Sequence, residues 1–265
     1  MLKNKIEDFF KTKDLKKAIS KAIENDKTSE VFKFELDEKS YWIKRARPSD
    51  SSFFHRVFYS LFKMKGMMPA QKKTKEETVY FEVNKLIYFK SLNIPVPEVV
   101  ACNKEFFVIE DSGTTIRDYV KKTNLTDTQL NEVLGKTVQL IATIHNKSQY
   151  HGGSQIRNYT IKDGMIFAID FEDSFSDKHE LKQLQYRDFF LFLVSLSELK
   201  REIDYSKIIN IYKELTNNTT IDKELKTIAL RLNFLVKLIE FKPLRKYLSK
   251  DVIYNYNLVK ALQNL

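Results

Sequence analysis

The residues in this chain best suited to chemistry fall within 151–174, HGGSQIRNYTIKDGMIFAIDFEDS. A tight loop, His151-Gly152-Gly153, leads into a polar segment ending at Asn158. A strand over 159–161, an Asp163-Gly164 turn and a second strand over 165–169 then carry the chain to Asp170. Asp-Gly between two short apolar runs is a hairpin signal, because both central residues of the tight turn need positive φ. A hairpin closes its two ends on each other, so Asn158 and Asp170 are expected side by side. One amide oxygen and one carboxylate on a rigid hairpin suit a hard cation such as Mg²⁺ whose other ligands are phosphates. That is a phosphoryl-transfer site in outline; the plain alternative is an ordinary polar hairpin.

The run of His151-Gly152, Asn158, a hairpin and Ile169-Asp170-Phe171, preceded by an amphipathic helix ending in Ile144-His145, resembles the catalytic and metal-binding loops of the protein-kinase-like superfamily. Within it the chain is most similar to bacterial kinases of the lipopolysaccharide core, the Kdo and heptose kinases, and more distantly to aminoglycoside phosphotransferases. The resemblance spans residues 31–195. It implies an α+β fold of two lobes, ATP and Mg²⁺ as cofactors, and a metal held by Asn158 and Asp170. It further implies transfer to a sugar hydroxyl of a lipopolysaccharide-core glycolipid, with Arg157 steadying acceptor or leaving charge. One position departs: where the family carries an Asp that orients or deprotonates the attacking hydroxyl, this chain has Gly153. Phosphoryl transfer depends mainly on positioning and electrostatics, and a general base contributes about 10²–10⁴-fold. Three readings follow: catalysis without that base, a substitute among His151, Glu172 and Asp173, or a pseudokinase that binds nucleotide or a partner without turnover. A soluble small-molecule kinase is a further alternative, disfavoured for cationic acceptors by the basic surroundings.

Several elements must position these groups. VFKFEL (Val31–Leu36) and YWIKRAR (41–47), separated by a turn at 37–40, alternate as a hairpin with Trp42, Lys44 and Ala46 on one face. Lys44 matches the family lysine that reaches the ATP phosphates, and Trp42 falls where relatives carry a small residue against adenine. A helix is expected over 76–92, and on it Glu82 matches the glutamate that pairs with the strand lysine. A short buried strand over 106–109 breaks at Glu110-Asp111-Ser112-Gly113, which looks like a hinge with backbone groups of Glu110 and Asp111 facing the adenine edge. Thr114 or Thr115, and then Thr126, cap the next helices. Asp188 resembles the family aspartate that holds the catalytic-loop backbone; a helix N-terminal aspartate favoured by the macrodipole is the other reading. The expected lobes are 1–108, with one or two amphipathic helices over 1–28 and a basic insert at 48–75, and a mainly helical 109–265.

The chain has 265 residues, 43% of them hydrophobic, enough to bury a core, and a formal net charge of +10, which favours acidic partners. The insert spaces Phe53, Phe54, Val57, Phe58, Leu61 and Phe62 for a helix, followed by Met64, Met67 and Met68, among many basic residues. Such a helix lies either in an anionic membrane surface or in the core. One cysteine, Cys102, rules out an intrachain disulfide. No apolar stretch reads as a signal peptide or a spanning helix, so a cytoplasmic protein is expected, peripheral to the inner face of the cytoplasmic membrane where the insert binds. Nucleic-acid recognition motifs are absent from the sequence, and no nucleic-acid partner is expected.

Overall fold

A computed structural model describes residues 7–48, 70–171, 173–176, 179–231 and 250–265. The fold is α+β. Toward the N-terminus, β1 (Phe9–Phe10), β2 (Val31–Leu36), β3 (Lys39–Arg45), β4 (Val99–Cys102) and β5 (Phe106–Glu110) form an antiparallel sheet in the order β1-β4-β5-β3-β2. The turn between β2 and β3 is tighter than the four residues read from the sequence. Asp37 and Glu38 take φ of 48° and 61°, which matches the right-handed twist of the flanking strands and lets β3 begin at Lys39.

Helix α1 (Lys13–Asn25) lays Leu15 and Ile19 on Phe32, Tyr41, Ile43, Val100 and Val108 of the sheet. The helical reading of 1–28 is corrected here: Phe9 pairs with Cys102 as sheet edge, and the helix starts only after Thr12, whose hydroxyl accepts from Leu15 N at 3.1 Å. Two apolar residues are too few to show a period, and the open β4 edge claims them. The other face of the sheet meets α2 (Lys75–Ser91), opened by a capping box between Thr74 and Glu77. Its Val79, Val83, Leu86 and Phe89 are buried, each contributing about 1.5–3 kcal/mol by leaving water.

The rest of the described chain is mainly helical: α3 (Ile116–Lys122), α4 (Asp127–Asn146), α5 (Leu181–Ser195), α6 (Tyr205–Thr216), α7 (Ile221–Arg231) and α8 (Lys250–Gln263). Thr115 caps α3 and Thr126 caps α4 through a capping box with Gln129. A second small sheet, β6 (Thr114–Thr115), β7 (Tyr159–Lys162) and β8 (Met165–Ala168), sits among these helices. One continuous core links α2 to α4, α5 and α6. Gly113 at φ +93° lets β6 approach β7, since a Cβ there would lie 2.1 Å from Ile161 O. Most of the insert, with its Phe53 to Met68 segment, lies outside the described residues. Among the described residues no helix is long and apolar enough to cross a membrane.

Candidate active site

The β7–β8 hairpin runs in register from Tyr159 opposite Ala168 to Lys162 opposite Met165, with Asp163 and Gly164 at φ 50° and 76° in the turn. Pairing continues one step past the strands, where Ile169 N donates to Asn158 O at 2.9 Å. Asp170 therefore follows the residue opposite Asn158. Its backbone turns to φ +67°, a left-handed conformation that costs a non-glycine residue of order 1–2 kcal/mol. There its carboxylate meets Lys44, with Nζ 2.5 Å from Asp170 Oδ1.

Lys44 also donates to Glu82 Oε1 and Oε2 at 2.9 and 2.8 Å. Strand alternation turns Lys44 and Trp42 away from the buried Tyr41 and Ile43, and Lys44 meets Glu82 on α2. The Glu82 side chain is only 3% exposed and that of Lys44 13%, so the two charges face little solvent screening. Glu82 Oε1 further accepts from Phe171 N at 3.3 Å, tying α2 to the chain just past Asp170. Burial pushes the Asp170 carboxyl up, but the Lys44 ammonium more than offsets this and holds it below its ordinary value.

Asn158 is buried and its Nδ2 donates to Gly153 O at 2.7 Å, which leaves the amide oxygen as the atom for a ligand. Among the described residues no group of three or more His, Cys, Asp or Glu side chains could hold a metal ion. An amide and a carboxylate alone suit only an ion that takes most ligands from phosphate and water, and Mg²⁺ is such an ion. The donor set fits.

The loop before the hairpin is held from beneath. Asp188, with no exposed surface, accepts from His151 N at 2.5 Å and Gly152 N at 2.9 Å, and His145 Nε2 lies 3.5 Å from it. It is the eighth residue of α5, which excludes the first-turn macrodipole reading. Burial raises its carboxyl, and His145, His151 and Arg187 together bring it below the ordinary value. Arg187 donates to Gly152 O. Lys85, buried on α2, donates to His151 O at 2.8 Å, and burial draws its ammonium down to about 8.

The remaining predicted residues scatter. His151 is 1% exposed and packs 4.5 Å from the Phe171 ring centroid, with burial drawing its imidazole down to about 4. Burial, which keeps the ring from an acceptor hydroxyl and makes it a weak base, speaks for packing rather than proton transfer as the part His151 plays. Trp42 Nε1 donates to Asp111 Oδ1 at 2.7 Å. At the expected hinge, the amides of Glu110 and Asp111 donate to Glu98 O and Ser40 O at 2.9 and 3.0 Å, because β5 runs one residue further than the sequence suggested, to Glu110. Arg157 is exposed on a 3-10 turn, Gly153 half-buried, and Asp173 beside it; Glu172 lies outside the described residues. Sequence reading missed Lys85 and Arg187. The three-residue step from Glu82 puts Lys85 on the same helical face, a usable signal, whereas nothing in the α5 pattern singles out Arg187.

No protein-family model matches the chain. A Haemophilus influenzae protein described as an uncharacterized protein is 24% identical to it over 193 residues, covering 73% of this chain and 72% of the relative.

Proposed function

We propose that this protein is a Mg²⁺-dependent ATP phosphotransferase with a two-lobe, protein-kinase-like fold. Its acceptor in this reading is a sugar hydroxyl of a lipopolysaccharide-core glycolipid at the inner face of the cytoplasmic membrane. The observation that carries the proposal is the meeting of Lys44, Glu82 and Asp170 from a strand, a helix and a post-hairpin turn, beside Asn158. Such a cluster orders an ammonium where phosphate oxygens need it. Glu82 fixes the Lys44 head group, Lys44 holds phosphate oxygens, and Asn158 and Asp170 hold the metal. Bound Mg²⁺ neutralises charge on the phosphates and orients the transferred group. Trp42, pinned by Asp111, flanks the adenine end, and exposed Arg157 steadies acceptor charge. The net charge of +10 supports an acidic acceptor over a cationic one.

Gly153 favours a second reading, a pseudokinase that binds nucleotide without turnover. Transfer of labelled γ-phosphate from Mg·ATP to a glycolipid extract of the source cells separates the two. Label in the glycolipid with the wild type, and none with Asp170→Ala, is the expected result. Nucleotide binding without transfer to any glycolipid or soluble sugar would favour the pseudokinase, and no nucleotide binding at all would end both readings.

A further inference from the structure

The two glycines after His151 serve different purposes. Gly152 stands at φ +102°, and a Cβ there would come 2.8 Å from Asp173 O and 3.1 Å from Asp173 Cβ. Only glycine lets the chain return so close after the hairpin. Gly153 has no such constraint. A Cβ there would meet Asn158 Nδ2 at 3.5 Å and Asp173 Oδ2 at 3.6 Å, both ordinary contacts. A side chain at this position thus points between the metal-ligand candidate and the Asp173 carboxylate, and Asp173 fills that direction from the opposite side.

Asp173 is also held there. Arg187 Nη2 lies 3.8 Å from its Oδ2, while the same guanidinium donates to Gly152 O and sits 4.5 Å over the Phe175 ring. One buried cation therefore fixes both the loop and the carboxylate. The Asp173 side chain keeps 29% of its surface exposed, against 9% for Arg187, so it is partly open to solvent where the guanidinium is not. It stands three positions after Asp170, which ties a base and a metal ligand to one short segment. Of the other substitutes, His151 is sealed in the core.

Resting on the kinase reading, we propose that Asp173 is the general base, its carboxylate standing in for the aspartate that position 153 lacks. The acceptor hydroxyl oxygen forms the new bond to the γ-phosphorus as the bond from that phosphorus to the bridging oxygen breaks. ADP leaves with the electron pair, and the hydroxyl proton passes to the Asp173 carboxylate and on to solvent.

The test compares Asp173→Asn, Gly153→Asp and the double variant by transfer kinetics, Mg·ATP titration and urea unfolding of the apo protein. Asp173→Asn should lower kcat by about 10²-fold or more while the Kd for Mg·ATP stays within about twofold. Adding Gly153→Asp to it should restore kcat at least about tenfold. In the apo protein Gly153→Asp should lower the urea midpoint when Asp173 is present, through like-charge crowding, and much less alongside Asp173→Asn. A kcat within about threefold of wild type for Asp173→Asn, or a loss that Gly153→Asp does not relieve, would overturn the assignment. Equal midpoint shifts in both backgrounds would overturn it as well, since the two carboxylates would then not share one place. Failure of the wild type to bind Mg·ATP would instead bring down the kinase reading, and this inference with it.

Discussion

Replacing Asp188 by Ala removes the carboxylate on which the loop at 151–153 rests. Two buried amides, His151 N at 2.5 Å and Gly152 N at 2.9 Å, lose a charged acceptor at once. Each hydrogen bond to a charged group is worth about 1.5–3 kcal/mol, and leaving its buried donor unsatisfied forfeits most of that. The expected loss is therefore roughly 3–5 kcal/mol, a large share of the 5–15 kcal/mol typical of a domain. Asp188→Asn keeps one acceptor oxygen but turns an NH₂ group toward one of the two N–H donors, so it should lose at least about half as much. Urea unfolding at pH 7, followed by tryptophan fluorescence of Trp42 and by circular dichroism, measures both. The sign with pH also follows. Because the folded-state carboxyl lies below its ordinary value, its stabilisation is complete above the unfolded pKa of about 3.9 and is lost as pH falls through the lower folded value. The gap between wild type and Asp188→Ala should then narrow between pH 5 and pH 3, in the range about the unfolded carboxyl pKa. A gap at pH 7 under about 1 kcal/mol, or one that does not change with acid, would refute the reasoning.

Gly113→Ala should cost at least about 2 kcal/mol, because the new Cβ would press to 2.1 Å from Ile161 O at φ +93° and unpair β6 from β7; thermal unfolding checks it. Lys85, whose folded-state pKa is drawn down to about 8 against about 10.4 unfolded, binds fewer protons in the folded state across that interval. Wild-type stability relative to Lys85→Met should therefore rise by up to about 3 kcal/mol from pH 8 to pH 10.5, read from urea midpoints at each pH.

What the sequence disclosed and what it hid divide along local and tertiary lines. The Asp163-Gly164 hairpin was legible because its turn chemistry is local, and with it came the adjacency of Asn158 and the segment at Asp170. The face carrying Trp42 and Lys44 was legible from strand alternation. Glu82 opposite Lys44 needed the family resemblance, since an isolated helical glutamate has no distinguishing pattern. The β4 strand, VVAC, is buried at every position and so gives no alternation to read. The end of β5 was placed one residue early because pairing with β3 continues through Glu110, and nothing local reports where a sheet ends. Asp188 under the loop, Arg187 beside it and Asp173 against Gly153 all depend on segments that meet only once the core has packed.

The central claim is that Lys44, Glu82, Asn158 and Asp170 form a Mg·ATP site. Calorimetric titration of ATP into wild type, Lys44→Met and Asp170→Ala, each with and without Mg²⁺, tests it most directly. The account predicts saturable, Mg²⁺-dependent binding by the wild type, weakened about tenfold or more by Lys44→Met and stripped of its Mg²⁺ dependence by Asp170→Ala. Wild-type binding that is absent, or that survives both substitutions unchanged, would contradict it.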